Sequence, residues 1–228
     1  MERFILNSSK GLAEVTKSKH QTVQFIHESV RDFFLKGDGL TKLQADLKQA
    51  FPGTSHDQLK LCCQDYLRVV WASDFSRIRT WTADKSSEEI TNDRQLASKD
   101  YPFLEYAVQS LFHHADVAEG YGTSQSSFLE TFSLQEWITS SNLFEKFQVR
   151  RYTPCASLLY IFAEKNLPNL IRLELGRVRH MDIKGERYSF PLFAALAHGN
   201  EDAVRALLPF APPTWLASWY SSQERPWH

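Results

Sequence analysis

The residues that could carry chemistry in this sequence do not assemble into a familiar catalytic motif. The chain contains no GxxxxGK[ST] phosphate loop, no GxGxxG turn, no HExxH zinc helix and no GxSxG nucleophile turn. Its 9 glycines are not clustered as they are in loops that cradle phosphate groups. We therefore expect a protein that is not an enzyme, with no catalytic residues and no cofactor bound by this chain.

Two pairs of neighbouring metal-ligating side chains occur, and neither pair favours a metal site. Cys62 and Cys63 are consecutive in a predicted helix, where successive side chains point about 100° apart. Buried small side chains are the simpler interpretation of this pair. His113 and His114, followed by Asp116, diverge in the same way along another predicted helix. We therefore predict no metal site.

A basic stretch near the N-terminus leaves nucleic-acid binding as the weaker alternative. Lys17, Lys19 and His20 lie in a polar segment that could form a wing and touch DNA phosphates. However, 26 Lys and Arg residues are balanced by 27 Asp and Glu, and the formal net charge is -1. Such a chain lacks the broad positive field that drives non-specific binding to nucleic acids or anionic membranes.

The composition is ordinary for a soluble folded protein. The 228 residues allow one large domain or two small ones, and 43% of them are hydrophobic. The 3 cysteines give no disulfide framework and are typical of a reducing compartment. Polar residues interrupt the N-terminal region, and no apolar run of about 18 residues occurs that could span a bilayer. We therefore expect a cytoplasmic protein without membrane contacts.

Several elements must position these side chains, and the first is a hairpin. Within residues 12–27, two short apolar segments flank a polar stretch, which predicts a β-hairpin or wing. Ser29 and Ser133 are predicted to cap the helices that follow them. Asp32 and Glu136 lie three residues further on, where they would complete capping boxes.

Most of the chain up to residue 150 has the spacing of amphipathic helices. Apolar residues recur every three or four positions, most clearly over 40–50, 55–70 and 104–115. The sequence Phe51-Pro-Gly53 is predicted to end the first of these helices. The polar residues 82–100 lack the spacing and predict a loop.

The last third of the chain contains an internal repeat. Residues 157–166 match residues 191–200 at an offset of 34, and the matches continue into a second apolar segment in each copy. Each copy therefore predicts a helix, a tight turn and a second helix. Gly199 supplies the turn of the second copy. Two consecutive helical hairpins without family membership remain the simpler interpretation.

The second copy resembles an ankyrin repeat. Its sequence from Pro191 to Leu208, PLFAALAHGNEDAVRALL, is similar to the PLxxAxxxGxxxxVxxLL core of that family. The first copy departs from the pattern, because Lys165 stands where the turn glycine belongs. The tetratricopeptide repeat has a similar period, but its Trp, Gly and Tyr positions are unmatched. The resemblance implies a surface that binds a protein partner.

A second resemblance lies near the N-terminus. Residues 25–34, FIHESVRDFF, resemble the FxHxSΦx[DE]FΦ motif in the winged-helix subdomain of NACHT-type STAND signalling ATPases. Residues 101–115 are similar to a helical segment of fungal NACHT–ankyrin proteins, and wing, helices and ankyrin-like units follow in that family's order. The resemblance implies an NLR-like protein of innate immunity in which an NTPase domain precedes Met1.

The second resemblance also implies a role for His27. In the family, the corresponding histidine contacts the phosphate of bound ADP and helps to hold the closed, inactive state. An imidazole N–H can donate to a phosphate oxygen. ADP or ATP would then be a cofactor of a full-length parent, because the phosphate loop and the Mg²⁺ ligands would lie upstream. The alternative is a histidine that closes a strand and bonds a neighbouring carbonyl.

These observations predict a mostly α fold: a helical bundle with a small N-terminal β-hairpin (a partial winged helix), followed by ankyrin-like helical hairpins. We expect a winged-helix and linker region at 1–150, two ankyrin-like repeats at 151–210 and a Pro/Trp-rich tail at 211–228. The predicted function is to couple a nucleotide switch to an ankyrin recognition surface. A stand-alone ankyrin-like module is the alternative. Because stacks usually need about three units, we also expect self-association unless the tail covers the second repeat.

Overall fold

A computed structural model describes the greater part of the chain, which forms two compact units, residues 1–51 and 52–228. Lys19 and His20 of the predicted wing, and the tail at 211–228, lie outside the described residues. Within them, no helix is both long and apolar enough to cross a membrane. The described residues are 7, 9–17, 22–36, 39, 42, 47–81, 87–177 and 186–210.

The first unit contains the predicted hairpin. Strand β1 (Ala13–Val15) pairs antiparallel with β2 (Val23–Phe25), and Glu14 faces Gln24 across the pair. The Gln24 Nε2 donates to the Glu14 Oε1 at 3.0 Å, which fixes this register on the exposed face. The prediction of a mostly helical chain with an N-terminal β-hairpin is therefore confirmed.

Helix α1 (Glu28–Leu35) follows the hairpin directly, and the prediction that Ser29 caps it is wrong. The N-cap is His27, whose Nδ1 accepts a hydrogen bond from the backbone N–H of Ser29 at 3.1 Å. An imidazole nitrogen here does what a serine oxygen does elsewhere, because both accept from the second helical residue. The ring of Phe34 then stacks on Phe25, with centroids 6.0 Å apart.

The remaining described elements are helical, and most lie in the second unit. They run α2 (Leu47–Trp81), α3 (Ser87–Asp100), α4 (Leu104–Gly120), α5 (Ser126–Glu130), α6 (Leu134–Phe144), α7 (Leu158–Glu164), α8 (Pro168–Arg177), α9 (Pro191–His198) and α10 (Glu201–Leu207), with 3-10 turns at Gln148–Arg150 and Leu208–Phe210.

Two predictions about helix boundaries are wrong. Helix α2 does not end at 51–53 but continues through Pro52 to Trp81. Gly53 serves close packing instead, since a Cβ atom there would lie 2.8 Å from the Cβ of Tyr121. Residues 87–100 are helical rather than a loop. Arg94 fixes that helix by donating to the Leu143 carbonyl at 3.0 Å, a contact that apolar spacing cannot reveal.

Ser133 does precede α6, as predicted, but the capping box does not form. The Ser133 side chain makes no hydrogen bond to the first turn of the helix. Glu136 lies in that turn, where its negative charge interacts favourably with the positive end of the helix dipole.

The core of the second unit is built around Phe112 on α4. The Phe112 ring lies 4.7 Å from Trp137 and 5.1 Å from both Phe132 and Phe162, measured between centroids. Trp137 is fully buried, and its indole N–H donates to the carbonyl of Val108 at 3.0 Å. Since Phe162 belongs to α7, the same aromatic cluster joins the helical bundle to the first repeated unit.

Candidate functional site

The predicted repeat is present as two helix–turn–helix units, which we call repeat 1 (α7 and α8) and repeat 2 (α9 and α10). Gly199 makes the turn of repeat 2 with a φ of 68°, as predicted. In repeat 1, Lys165 keeps a φ of −94°, and the left-handed conformation falls on Asn166, with a φ of 55°. Asparagine tolerates this conformation, so the turn forms without a glycine and leaves a lysine at its start.

Two asparagines at equivalent positions connect the repeats. Asn200 donates from its Nδ2 to the carbonyls of Ala163 and Glu164, at 2.9 and 2.8 Å. Asn166 accepts in the other direction, because its Oδ1 receives the backbone N–H of Ala203 at 3.0 Å. Ala203 is the third residue of α10, so an asparagine of repeat 1 satisfies one free N–H of the last helix in repeat 2.

Asp116 plays the corresponding part for repeat 1 from the helical bundle. Its Oδ1 accepts the backbone N–H groups of Asn169 and Leu170, at 2.8 and 2.9 Å, in the first turn of α8. The residue before that helix is Leu167, whose side chain has no acceptor. Burial raises the pKa of Asp116, although the donors from Asn169 and Leu170 favour the carboxylate.

Two cavities of the second unit open on either side of Lys165 and share Gln109. Cavity A has a volume of about 360 Å³, and cavity B has a volume of about 420 Å³. Both combine residues of the bundle with the turn of repeat 1. Cavity A includes Ser141, Asn142, Glu145, Arg150, Glu164 and His198, and cavity B includes His113, Asp116, Asn166 and Asp202.

Two charged side chains at cavity A, those of Glu164 and Lys165, differ in whether they have an oppositely charged partner. Glu164 is paired, because its Oε1 lies 2.6 Å from a guanidinium nitrogen of Arg187 and 3.6 Å from Nε2 of His198. The Lys165 ammonium lies 5.7 Å from the centre of the Trp137 ring. No carboxylate of the described residues lies within 4.0 Å of it. Burial lowers the pKa of Lys165, although the negative charges of Glu164 and Glu145 act to raise it.

His27 lies in the first unit with an exposed side chain. Its Nδ1 is occupied at the start of α1, where it also lies 2.8 Å from the Ser29 hydroxyl oxygen. Because Nδ1 accepts the Ser29 backbone N–H, the proton of the neutral ring belongs on Nε2. That N–H has no partner in the part of the chain that the structure describes.

The two members of the cysteine pair differ in burial, and so do the two members of the histidine pair. Cys63 is buried, as predicted, and burial raises the pKa of its thiol to about 11, whereas Cys62 is exposed, contrary to the prediction. All three cysteines are free. His113 is exposed and His114 is buried, and a third imidazole from α2, that of His56, reaches both. The sequence carries no signal for this residue, because 58 positions separate it from His114.

Comparisons of the chain with protein-family models, with curated proteins and with solved structures found no match. The ankyrin-like and NACHT-like interpretations therefore rest on the motifs quoted from the sequence.

Proposed function

We propose that this chain is a non-catalytic, protein-binding region of a NACHT–ankyrin type signalling ATPase. In this proposal the repeats and the bundle bind a protein partner, and the first unit responds to bound nucleotide. The observation that carries the protein-binding part is the Lys165 ammonium, half-buried between two cavities at the turn of repeat 1 and without a carboxylate partner among the described residues.

The chemistry at Lys165 identifies the kind of partner. An ammonium group that is already partly desolvated loses little further hydration when a carboxylate approaches, and the resulting charge-assisted hydrogen bond is strong. The nearest acidic side chain in sequence, Glu164, is engaged by Arg187. Gln109, which lines both cavities together with Lys165, adds a side-chain amide to their surfaces. We therefore assign the partner as a peptide segment that presents Asp or Glu to Lys165.

Peptide display with counter-selection tests this assignment on the full chain. A random peptide library is selected on the wild-type protein and then depleted on the Lys165→Met variant, which keeps the packing on Trp137 but removes the charge. The enriched peptides should carry Asp or Glu and bind the variant ~10-fold to 100-fold more weakly, the value of one hydrogen bond to a charged group.

The exposed Lys99, at the end of α3, supplies the matched control. Lys99→Met changes the net charge equally and should leave peptide affinity unchanged. Selected peptides that bind wild type and Lys165→Met equally would remove Lys165 from the binding surface and contradict the proposal.

The nucleotide part of the proposal rests on the outward N–H of His27. Since the cap bond holds the ring with Nε2 outward, its N–H is oriented before any phosphate arrives. The N-terminus of α1, an 8-residue helix, adds a partial positive charge at the same place. Both features favour an anion such as the phosphate of ADP.

A protein that joins this chain to a NACHT ATPase core tests the nucleotide part. His27→Ala should weaken ADP retention and raise basal activation. His27→Asp restores a capping oxygen but offers no N–H, so it should recover the stability of α1 without recovering ADP retention. Unchanged ADP affinity in both variants would leave a stand-alone protein-binding module, provided that the peptide dependence on Lys165 holds.

A further inference from the structure

Three imidazoles converge in the second unit, on the side of α4 that faces α2. One ligand nitrogen from each of His56, His113 and His114 lies within 4.8 Å of the other two. The ring centroids are 5.1 Å apart for His56 and His114 and 5.7 Å apart for His56 and His113. Three histidines at one helix contact need an explanation, because the ring nitrogens of a buried imidazole require hydrogen-bond partners.

The shortest contact has the geometry of a ligand pair. The Nδ1 atoms of His56 and His114 lie 3.0 Å apart. A tetrahedral zinc ion with bonds of about 2.0–2.1 Å holds two ligand nitrogens about 3.4 Å apart. The pair therefore needs to open by only a few tenths of an ångström to admit an ion in place of the proton between the two nitrogens.

Tyr106 supplies the outer contact that histidine ligands usually have. Its hydroxyl oxygen lies 2.9 Å from Nε2 of His114, on the opposite side of the ring from His56. When Nε2 donates its N–H to that oxygen, Nδ1 of His114 is left with a free lone pair directed at His56. This tautomer is the one that binds a metal through Nδ1.

We propose that His56, His113 and His114 form a binding site for one divalent transition-metal ion, with zinc as the preferred occupant. Three neutral imidazoles suit Zn²⁺, and the exposure of His113 leaves the fourth position for water. The Oδ1 atom of the neighbouring Asp57 is engaged by Lys60 at 2.9 Å and by Gln125 at 3.0 Å, and this carboxylate is not part of the three-residue cluster.

The ion would fasten two helices that are far apart in sequence. His56 belongs to α2 and the other two ligands to α4, so one ion cross-links these helices beside the close contact of Gly53 with Tyr121. Binding to the folded state alone stabilises that state. The site shares His113 with the lining of cavity B but includes neither Lys165 nor His27, so its failure would leave the proposed function standing.

Titration of the metal-free full chain with Co²⁺ and Zn²⁺ tests the site. We expect one Co²⁺ per chain with the visible bands of tetrahedral nitrogen and oxygen ligands, competition by Zn²⁺, and a rise in Tm of about 5 °C or more with saturating Zn²⁺. His56→Gln and His113→Gln should each weaken binding by at least ~10-fold. Tyr106→Phe should weaken binding ~10-fold, as loss of an outer partner does.

Variants outside the cluster keep the test specific. His228→Asn also removes one histidine, more than 100 positions from the cluster in sequence, and should bind the ion as wild type does. Circular dichroism of the His113 variant, whose changed side chain is exposed, checks that the fold is intact. Absence of saturable one-to-one binding would overturn the proposal, as would equal affinities in the cluster variants and in wild type. A thiolate charge-transfer band would place the ion on a cysteine and would also overturn it.

Discussion

Asp116 should be one of the most sensitive polar positions in the chain, because it caps a helix to which it does not belong. In the Asp116→Ala variant, the backbone N–H groups of Asn169 and Leu170 lose the oxygen that they share at 2.8 and 2.9 Å. Neither group gains an acceptor from Leu167, the residue before α8. The Asn169 side chain also loses its bond to Oδ2 of Asp116 at 3.1 Å, but it keeps its bond to the Asp116 carbonyl at 3.1 Å.

The magnitude follows from these contacts. Loss of an N-cap costs about 0.5–2 kcal/mol, and a buried donor left without a partner costs about 1–3 kcal/mol. Part of this is offset, because the variant no longer buries a carboxylate, whose raised pKa shows that desolvation outweighs its bonds. We therefore expect Asp116→Ala to lower the free energy of unfolding by about 2–3 kcal/mol. Asp116→Asn keeps an accepting oxygen and should lose about 1 kcal/mol or less.

Urea unfolding followed by far-ultraviolet circular dichroism at neutral pH measures both variants against wild type. The diagnostic result is a decrease in stability from wild type through Asp116→Asn to Asp116→Ala, because only the alanine substitution removes the acceptor. If Asp116→Ala changed the unfolding free energy by less than about 0.5 kcal/mol, the capping assignment would be refuted. Equal losses in the two variants would refute it as well.

Three further predictions concern two glycine positions, the buried side chain of Glu174 and nucleotide hydrolysis. Gly199→Ala should lower the free energy of unfolding by about 1–2 kcal/mol, because the φ of Gly199 is 68°. Gly176 lies in a helix with open space around it, so Gly176→Ala should raise the free energy of unfolding by up to ~1 kcal/mol. Thermal melts in which both variants change stability in the same direction would contradict this prediction. Burial raises the pKa of Glu174 despite Arg177, so the folded state keeps a proton that the unfolded state releases. Wild-type stability should therefore fall, relative to Glu174→Gln, as the pH rises from the ordinary glutamate value through the raised one, and parallel pH profiles of the two proteins would count against it. The purified chain should not hydrolyse ATP or GTP; turnover lost on a point change within the chain would disprove that.

Periodicity predicted the elements that bury a regular apolar stripe. The repeat at an offset of 34 specified both helix pairs and the turn at Gly199, because stacking of identical units repeats the same packing. Residues 87–100 escaped this reasoning, since the helix is held by Arg94 and by a few apolar contacts rather than by a continuous stripe. The end predicted at Pro52 failed because one lost hydrogen bond does not stop a helix that is packed elsewhere along its length.

The candidate sites were only partly accessible from the sequence. His27 was found by its motif, but its role as the cap of α1 depends on a ring nitrogen taking the place of an oxygen. The cavities beside Lys165 and the convergence of His56 with the histidines of α4 are products of tertiary packing. The pattern of a single sequence does not indicate which residues so far apart will come into contact.

The starts of α8 and α10 are capped by side chains that lie earlier in the chain and outside those helices. Helix α8 depends on Asp116 of the bundle, and α10 depends on Asn166 of repeat 1, so each layer completes the one that follows it. Loss of repeat 2 would leave the earlier layers with their helix starts satisfied, whereas loss of the bundle would expose the start of α8 and then weaken everything after it. The helix starts of this part of the protein therefore depend on the layer before them, whereas the carbonyl end of α7 depends on Asn200 of the layer that follows.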